Sequence, residues 1–156
     1  MTIEMAKKAR ELSATGKNVI SLSLGEPDFD TPDLIKEAAA QAMEENYTHY
    51  MPVPGFTDVR ESIAAKFKRD NGIDYTANQI VISTGAKQSL LNIFLALVNP
   101  GEEVIIPAPY WVSYMDQAKY CGAEVKVLPT TMEGGFKITA DQLEAAITTK
   151  SKVLIF

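Results

Sequence analysis

Residues 82–94, ISTGAKQSLLNIF, join a β-branched run to an apolar run through a single glycine. The pattern predicts a strand ending at Ser83, a turn over Thr84-Gly85-Ala86 and a helix from there on. The first turn of a helix carries backbone N–H groups with no partner inside the helix, at the positive end of the helix dipole. Such a junction suits an anion, a phosphate group above all. Gly85 and Ala86 are small enough to let an oxyanion reach the main chain, and Lys87 adds a positive charge. Taken alone, however, the stretch is first read as a plain βα turn with a glycine for tightness. It has neither the G-x-x-x-x-G-K-[ST] spacing of a Walker loop nor G-x-G-x-x-G, so nucleotide binding gets little support.

A second junction, IIPAPYWVSY over residues 105–114, carries the only tryptophan, Trp111. Its loop leaves the C-terminal edge of a strand, where open α/β sheets hold ligands. An indole there is a core filler on the plain reading; beside a phosphate site it can stack on a flat heteroaromatic ring. Tyr50, in the loop YTHYMPVPG, is a surface tyrosine on the plain reading and a phenol donor to a phosphate on the functional one. Gly25, in LGEPDF, is a turn glycine or a backbone N–H offered to a carboxylate. His49, the only histidine, has no acid or nucleophile placed with it and is not read as catalytic. Asp28, Asp30 and Asp33 are turn and helix-start acids, and no His or second Cys accompanies Cys121, so no metal site is expected.

The elements that must position these residues follow from periodicity. An amphipathic arm precedes an extended segment at Val19, Ile20, Leu22 and Leu24 that breaks at Gly25. Thr31-Pro32 signals a helix start, with Thr31 as the hydroxyl cap, and Ile35, Ala38, Ala39, Ala42 and Met43 share a helical face. A second helix is expected over 57–71, with Val59, Ile63, Ala64 and Phe67 as its stripe and Asn71-Gly72 at its end. Strands are expected at Ile80–Ile82, Val104–Ile106, Val125–Leu128 and Val153–Phe156. Helices lie between them at 86–98, 112–121 and 140–149, the last opening on a Thr139/Gln142 capping box. This alternation means βαβ units, a parallel sheet and helices on its faces.

The chain has 156 residues, 46% of them hydrophobic and 22% charged, as in a globular domain. A net charge of −5 argues against a nucleic-acid face, and the Lys66, Lys68 and Arg69 cluster reads as a solvated helix face. One cysteine excludes an internal disulfide, and no apolar run is long enough for a membrane span; the default is a cytoplasmic protein. The chain stops at KVLIF, inside a buried strand, so it is expected to be a piece of a longer protein.

In this order, LSLGEPDFDTP, YTHYMPVPG, STGAKQSL and PAPYWVSY resemble the N-terminal part of a class I/II aminotransferase, nearest the bacterial aspartate aminotransferase group. The resemblance covers nearly the whole chain. It implies the fold type I architecture, an α/β three-layer sandwich with a mostly parallel sheet, incomplete here. Residues 1–30 would be the arm and the start of a small domain, and 31–156 the first part of the large, cofactor-binding domain. It implies pyridoxal 5'-phosphate as cofactor and transfer of an amino group between an amino acid and a 2-oxo acid. Gly85, Ala86 and Lys87 would surround the cofactor phosphate, Trp111 would stack on its ring and border the substrate, and Gly25 would meet the substrate carboxylate. Tyr50 would reach the phosphate of the other subunit in a homodimer. The Schiff-base lysine of the family, its Asn-Pro loop, its pyridine-pairing acid and its carboxylate-binding arginine would lie beyond Phe156, leaving no catalytic residue in this chain. A fold type I carbon–sulfur lyase and a non-catalytic binding or interaction module are the rival readings.

Overall fold

The structure is a computed structural model and describes residues 2–22 and 25–156. Leu24 of the expected extended segment lies outside the described residues. The chain forms two compact units, Met1–Tyr50 and Met51–Phe156. The domain boundary expected from sequence falls earlier, after residue 30; compactness within this chain and membership of a larger domain are different properties.

In the first unit, helix α1 (Thr2–Ala14) is the amphipathic arm. Ala6 is buried and a Lys7–Glu11 pair spans one turn of the outer face at 3.7 Å. Helix α2 (Asp33–Glu44) starts one step later than its cap signal suggests. Pro32 keeps an extended ψ of 141° and is itself the flanking residue, with no side-chain cap bond. Its carbonyl opens the helix by accepting from the amides of Ile35 and Lys36. At the far end Asn46 takes φ +65°. The Asn46 and Tyr47 amides then close onto the carbonyls of Met43 and Ala42, a left-handed cap that asparagine tolerates. The expected apolar stripe is present, yet α2 buries none of its residues.

The second unit carries the α/β pattern. Helix α3 (Thr57–Asn71) has the expected bounds and ends at Gly72 in the left-handed region. Lys66, Lys68 and Arg69 lie on its solvated face, paired with Asp70 and Asp74. A 3-10 turn (Ala77–Gln79) leads to an extended segment, then to helix α4 (Ala86–Leu97) and strand β1 (Glu103–Pro107). Helix α5 (Val112–Tyr120), strand β2 (Glu124–Leu128), helix α6 (Ala140–Ala146) and strand β3 (Ser151–Leu154) follow.

All three strands are parallel, in the order β2-β1-β3. The chain steps from β1 to β2 and then back past β1 to β3, so right-handed crossovers put α5 and α6 on opposite faces of the sheet. Central β1 is covered on both sides; Val104, Ile105 and Ile106 are fully buried, which is why its sequence is a continuous apolar run. Phe94, Val98 and Ala118 complete the core on the α4–α5 side, and Cys121 packs there at the end of α5 as a free thiol.

The bounds of α4, β1, α5 and β2 lie within one residue of those expected, and three elements differ by more. The Ile80–Ile82 run is extended at Ile80 (φ −118°, ψ 132°) but has no ladder partner among the described residues. The run is held instead by the Ile80 amide on the Ala77 carbonyl, 3.2 Å, and the Ile82 amide on the Pro54 carbonyl, 3.0 Å. The last strand runs Ser151–Leu154 rather than Val153–Phe156, and it starts early because Ser151 already pairs with Glu103. Helix α6 stops at Ala146, three residues short, where Thr148 turns its hydroxyl to the Glu103 carboxylate at 2.6 Å. Its N-terminal capping box at Thr139 and Gln142 is formed as expected, with both bonds in place.

Candidate functional site

The approach to the Gly85 turn is held from below. Gly55 adopts φ +95°, and a Cβ there would meet Ile82 Cδ1 at 2.6 Å. Only glycine lets the 52–55 loop lie flat on the 80–82 segment. The loop is fixed by Arg60, a buried side chain of α3. Its Nε donates to the Gly55 carbonyl at 3.2 Å, its Nη1 to the Ala77 carbonyl at 2.7 Å and its Nη2 to Thr57 Oγ1 at 3.2 Å. One guanidinium thus ties the loop before α3 to the turn before Ile80. Sequence reasoning passed over Arg60, though a signal exists: it precedes Ile63 and Ala64 by three and four residues, on the apolar stripe.

At the turn, Gly85 has φ +84° and ψ 161°, a region open to glycine almost alone. Its amide bonds Ser83 O at 2.8 Å and its carbonyl accepts the amides of Gln88 and Ser89, the first bonds of α4. The amides of Ala86 and Lys87 come before those bonds and belong to the open first turn. The Gln88 side chain folds back to accept from the Thr84 amide. Thr84 to Gln88 are exposed, and no heavy atom lies within 4 Å of where a Gly85 Cβ would stand, so the backbone faces open space.

The second junction meets the first. Beyond β1, Ala108 is fastened by its amide to Leu128 O at 2.9 Å and by its carbonyl to the Thr130 hydroxyl. The Ala108–Pro109 bond is cis. Trp111 then flanks α5, half exposed, with the Lys87 ammonium 5.4 Å from its ring centre, within cation–π range. Gln117, further along α5, donates from Nε2 to the Lys87 carbonyl at 2.7 Å. Gly85, Ala86, Lys87 and Trp111 are therefore neighbours at the C-terminal edge of the sheet. An open helix start, a cation and an aromatic face there are chemically suited to a phosphorylated aromatic ring.

Gly25, Tyr50 and His49 belong to the first unit and are described there alone. Tyr50 is fully exposed and His49 is exposed. Gly25 is exposed, has no φ in the left-handed region and has no neighbour within 4 Å of a would-be Cβ. Among the described residues no cluster of His, Cys, Asp or Glu could hold a metal ion, and no helix is long and apolar enough to cross a membrane.

The opposite, N-terminal edge of the sheet holds a polar knot. Glu103, nearly buried, accepts from Thr148 (2.6 Å) and Ser151 (2.9 Å) and pairs with Lys126 at 3.0 Å. The Thr148 hydroxyl, then Lys126 and Ser151, hold its carboxyl down at about 2 against the opposing effect of burial. With Lys126 on β2 and Ser151 on β3, Glu103 of β1 ties the three strands together.

Comparison with known proteins agrees with this geometry. The family described as aminotransferase class I and II matches residues 17–156. The chain belongs to that family. A probable aspartate/prephenate aminotransferase of Rhizobium leguminosarum bv. phaseoli is 53% identical over 155 residues, covering 99% of this chain and 39% of the relative. The structure of the Thermus thermophilus aspartate aminotransferase with maleate superposes with a TM-score of 0.93 at 40% identity, over 98% of this chain and 40% of that one. The alanine aminotransferase of Pyrococcus furiosus superposes with a TM-score of 0.91 at 30% identity, over 98% and 40%. This aminotransferase-family chain therefore spans about two fifths of the length of the relatives it matches and has the family's α/β fold. Pyridoxal phosphate is the cofactor that the family in general implies.

Proposed function

We propose that the chain is the part of a pyridoxal-phosphate aminotransferase that grips the phosphate and ring of the cofactor. The observation that carries this reading is the meeting of the open first turn of α4 with the Trp111 ring, linked by Lys87 at 5.4 Å. The Ala86 and Lys87 amides, with the Lys87 charge, are donors suited to a phosphate. Gly85 keeps side-chain atoms out of the way. The half-exposed indole offers a face to a pyridine ring. When bound, pyridoxal phosphate supplies an electron sink for breaking a bond at the α-carbon of an amino acid. This chain's residues bind and orient it.

The activity proposed for the complete protein is amino-group transfer between an amino acid and a 2-oxo acid. The names of the more similar relatives support aspartate as the amino acid. An alanine aminotransferase shares the fold of this region as well, so the aspartate reading rests on the names of the relatives. Gly25 is proposed to meet the substrate carboxylate through its amide, and its open surroundings support that. Tyr50 is proposed to reach the phosphate site of a second copy in a homodimer; its full exposure supports a role outside its own unit. The division at residue 30 into small-domain and large-domain parts, and a cytoplasmic setting in keeping with the free thiol of Cys121, belong to the same proposal.

The test uses Trp111, the single tryptophan, as its own reporter. Pyridoxal phosphate should quench its emission saturably, while pyridoxal, lacking the phosphate, should bind at least tenfold more weakly. Lys87→Met should weaken the phosphorylated ligand by about two- to fivefold, in a salt-dependent way, as befits an exposed charge at a helix start. Equal binding of the two ligands would remove the phosphate site and with it this reading.

A further inference from the structure

Lys87 is held at both ends by the segment that carries Trp111. Its ammonium lies over the indole, and its backbone carbonyl takes a hydrogen bond from Gln117, six residues further along, on α5. The carbonyl belongs to the first turn of α4, the turn whose amides face the proposed phosphate. The bond crosses 30 residues of sequence, so no local pattern announces it. Gln117 has a second feature: its Oε1 is buried and accepts no hydrogen bond among the described residues. Buried amide oxygens are normally satisfied. The amide cannot turn around to find a better partner, because Oε1 would then face the Lys87 carbonyl, two acceptors together. The orientation is set by the Lys87 contact, at the cost of an orphaned oxygen.

We propose that Gln117 is a positioning residue that sets the span between the phosphate turn at Gly85–Lys87 and the Trp111 ring. It braces α5 against the first turn of α4, so that the amides and the indole keep one separation, suited to one rigid phosphorylated ring. This rests on the cofactor-site reading for its ligand, but the brace itself is a property of the ligand-free chain.

Gln117→Leu separates a brace from a merely structural contact. It removes the donor and the orphaned acceptor together, and relief of the buried Oε1 offsets the lost bond, so stability should change little. The brace should nonetheless be lost. In the ligand-free chain, the Trp111 emission maximum should shift and its quenching by acrylamide should increase. Pyridoxal phosphate should bind roughly five- to tenfold more weakly, the worth of one hydrogen bond. The midpoint of urea unfolding should change little. Gln117→Met, unbranched and apolar, carries the same test should the leucine variant not fold. Unchanged Trp111 emission and quenching would overturn the proposal, whatever the ligand does. So would a loss of binding matched by an equal loss of stability. If the wild-type chain fails to bind pyridoxal phosphate while Trp111 still responds to Gln117→Leu, the cofactor reading falls and the brace stands.

Discussion

Gly85 and Gly55 hold positive φ for different reasons, and the difference can be measured. At Gly85 the backbone alone demands glycine (φ +84°), since space for a Cβ is open. Gly85→Ala should cost about 1–3 kcal/mol of backbone strain. At Gly55 a Cβ would also press on Ile82, 2.6 Å from its Cδ1 and 3.1 Å from its Cβ, atoms that cannot all swing away. Gly55→Ala should therefore cost more, roughly 2–6 kcal/mol once strain and overpacking act together. Urea unfolding of the two variants checks the order; a Gly85→Ala chain less stable than Gly55→Ala would contradict it. Gly85 was legible in the sequence because it sits between a β-branched and a helical run. The demand on Gly55 was not, because its neighbour Ile82 is distant along the chain.

At the scale of elements, two local signals held and one did not: Thr31 makes no cap for α2, where Pro32 flanks the helix instead. The Thr139/Gln142 box and the Gly72 stop formed as the sequence predicts. Signals that need a distant partner held less well. The Ile80–Ile82 run has strand composition, but a strand belongs to a pair, and among the described residues this run has no ladder partner, only the Ile80 amide on Ala77 O and the Ile82 amide on Pro54 O. Arg60 is the clearest case of a partner hidden from the sequence. A helical arginine reads as solvated, yet this one is buried and each of its three guanidinium nitrogens donates to a different acceptor. Lysine cannot reproduce that planar fork. Arg60→Lys should thus destabilise nearly as much as Arg60→Ala, each by about 2–4 kcal/mol, because the Gly55 and Ala77 carbonyls lose their donor. Calorimetric or urea unfolding of both variants decides. A lysine variant as stable as wild type would mean that charge alone, not the fork, holds the loop beneath the Gly85 turn.

At the scale of the molecule, the α/β class followed from the alternation of short apolar runs with helical stripes, since that alternation leaves few architectures. The knot that closes the sheet did not follow, because Thr148 and Ser151 lie 45 and 48 residues from Glu103 and carry no spacing signal. Its consequence is a dependence on acid. Thr148 foremost, then Lys126 and Ser151, hold the Glu103 carboxyl at about 2 in the folded chain, below an ordinary value of 4.5. A depressed folded value means that the ionised form favours folding. The contribution is complete above about pH 4.5 and is lost as pH falls towards 2. Other carboxylates titrate over the same range, so the observable is a difference. Glu103→Gln keeps the shape and removes the charge. It should be less stable than wild type at neutral pH, and the gap should narrow steadily between about pH 4.5 and 2. Urea midpoints of both chains across that range measure it. A gap that stays constant would show that the loss in the glutamine variant does not come from the ionised carboxylate. The three strands would then be held by shape and hydrogen bonding alone, without the charge pair to Lys126.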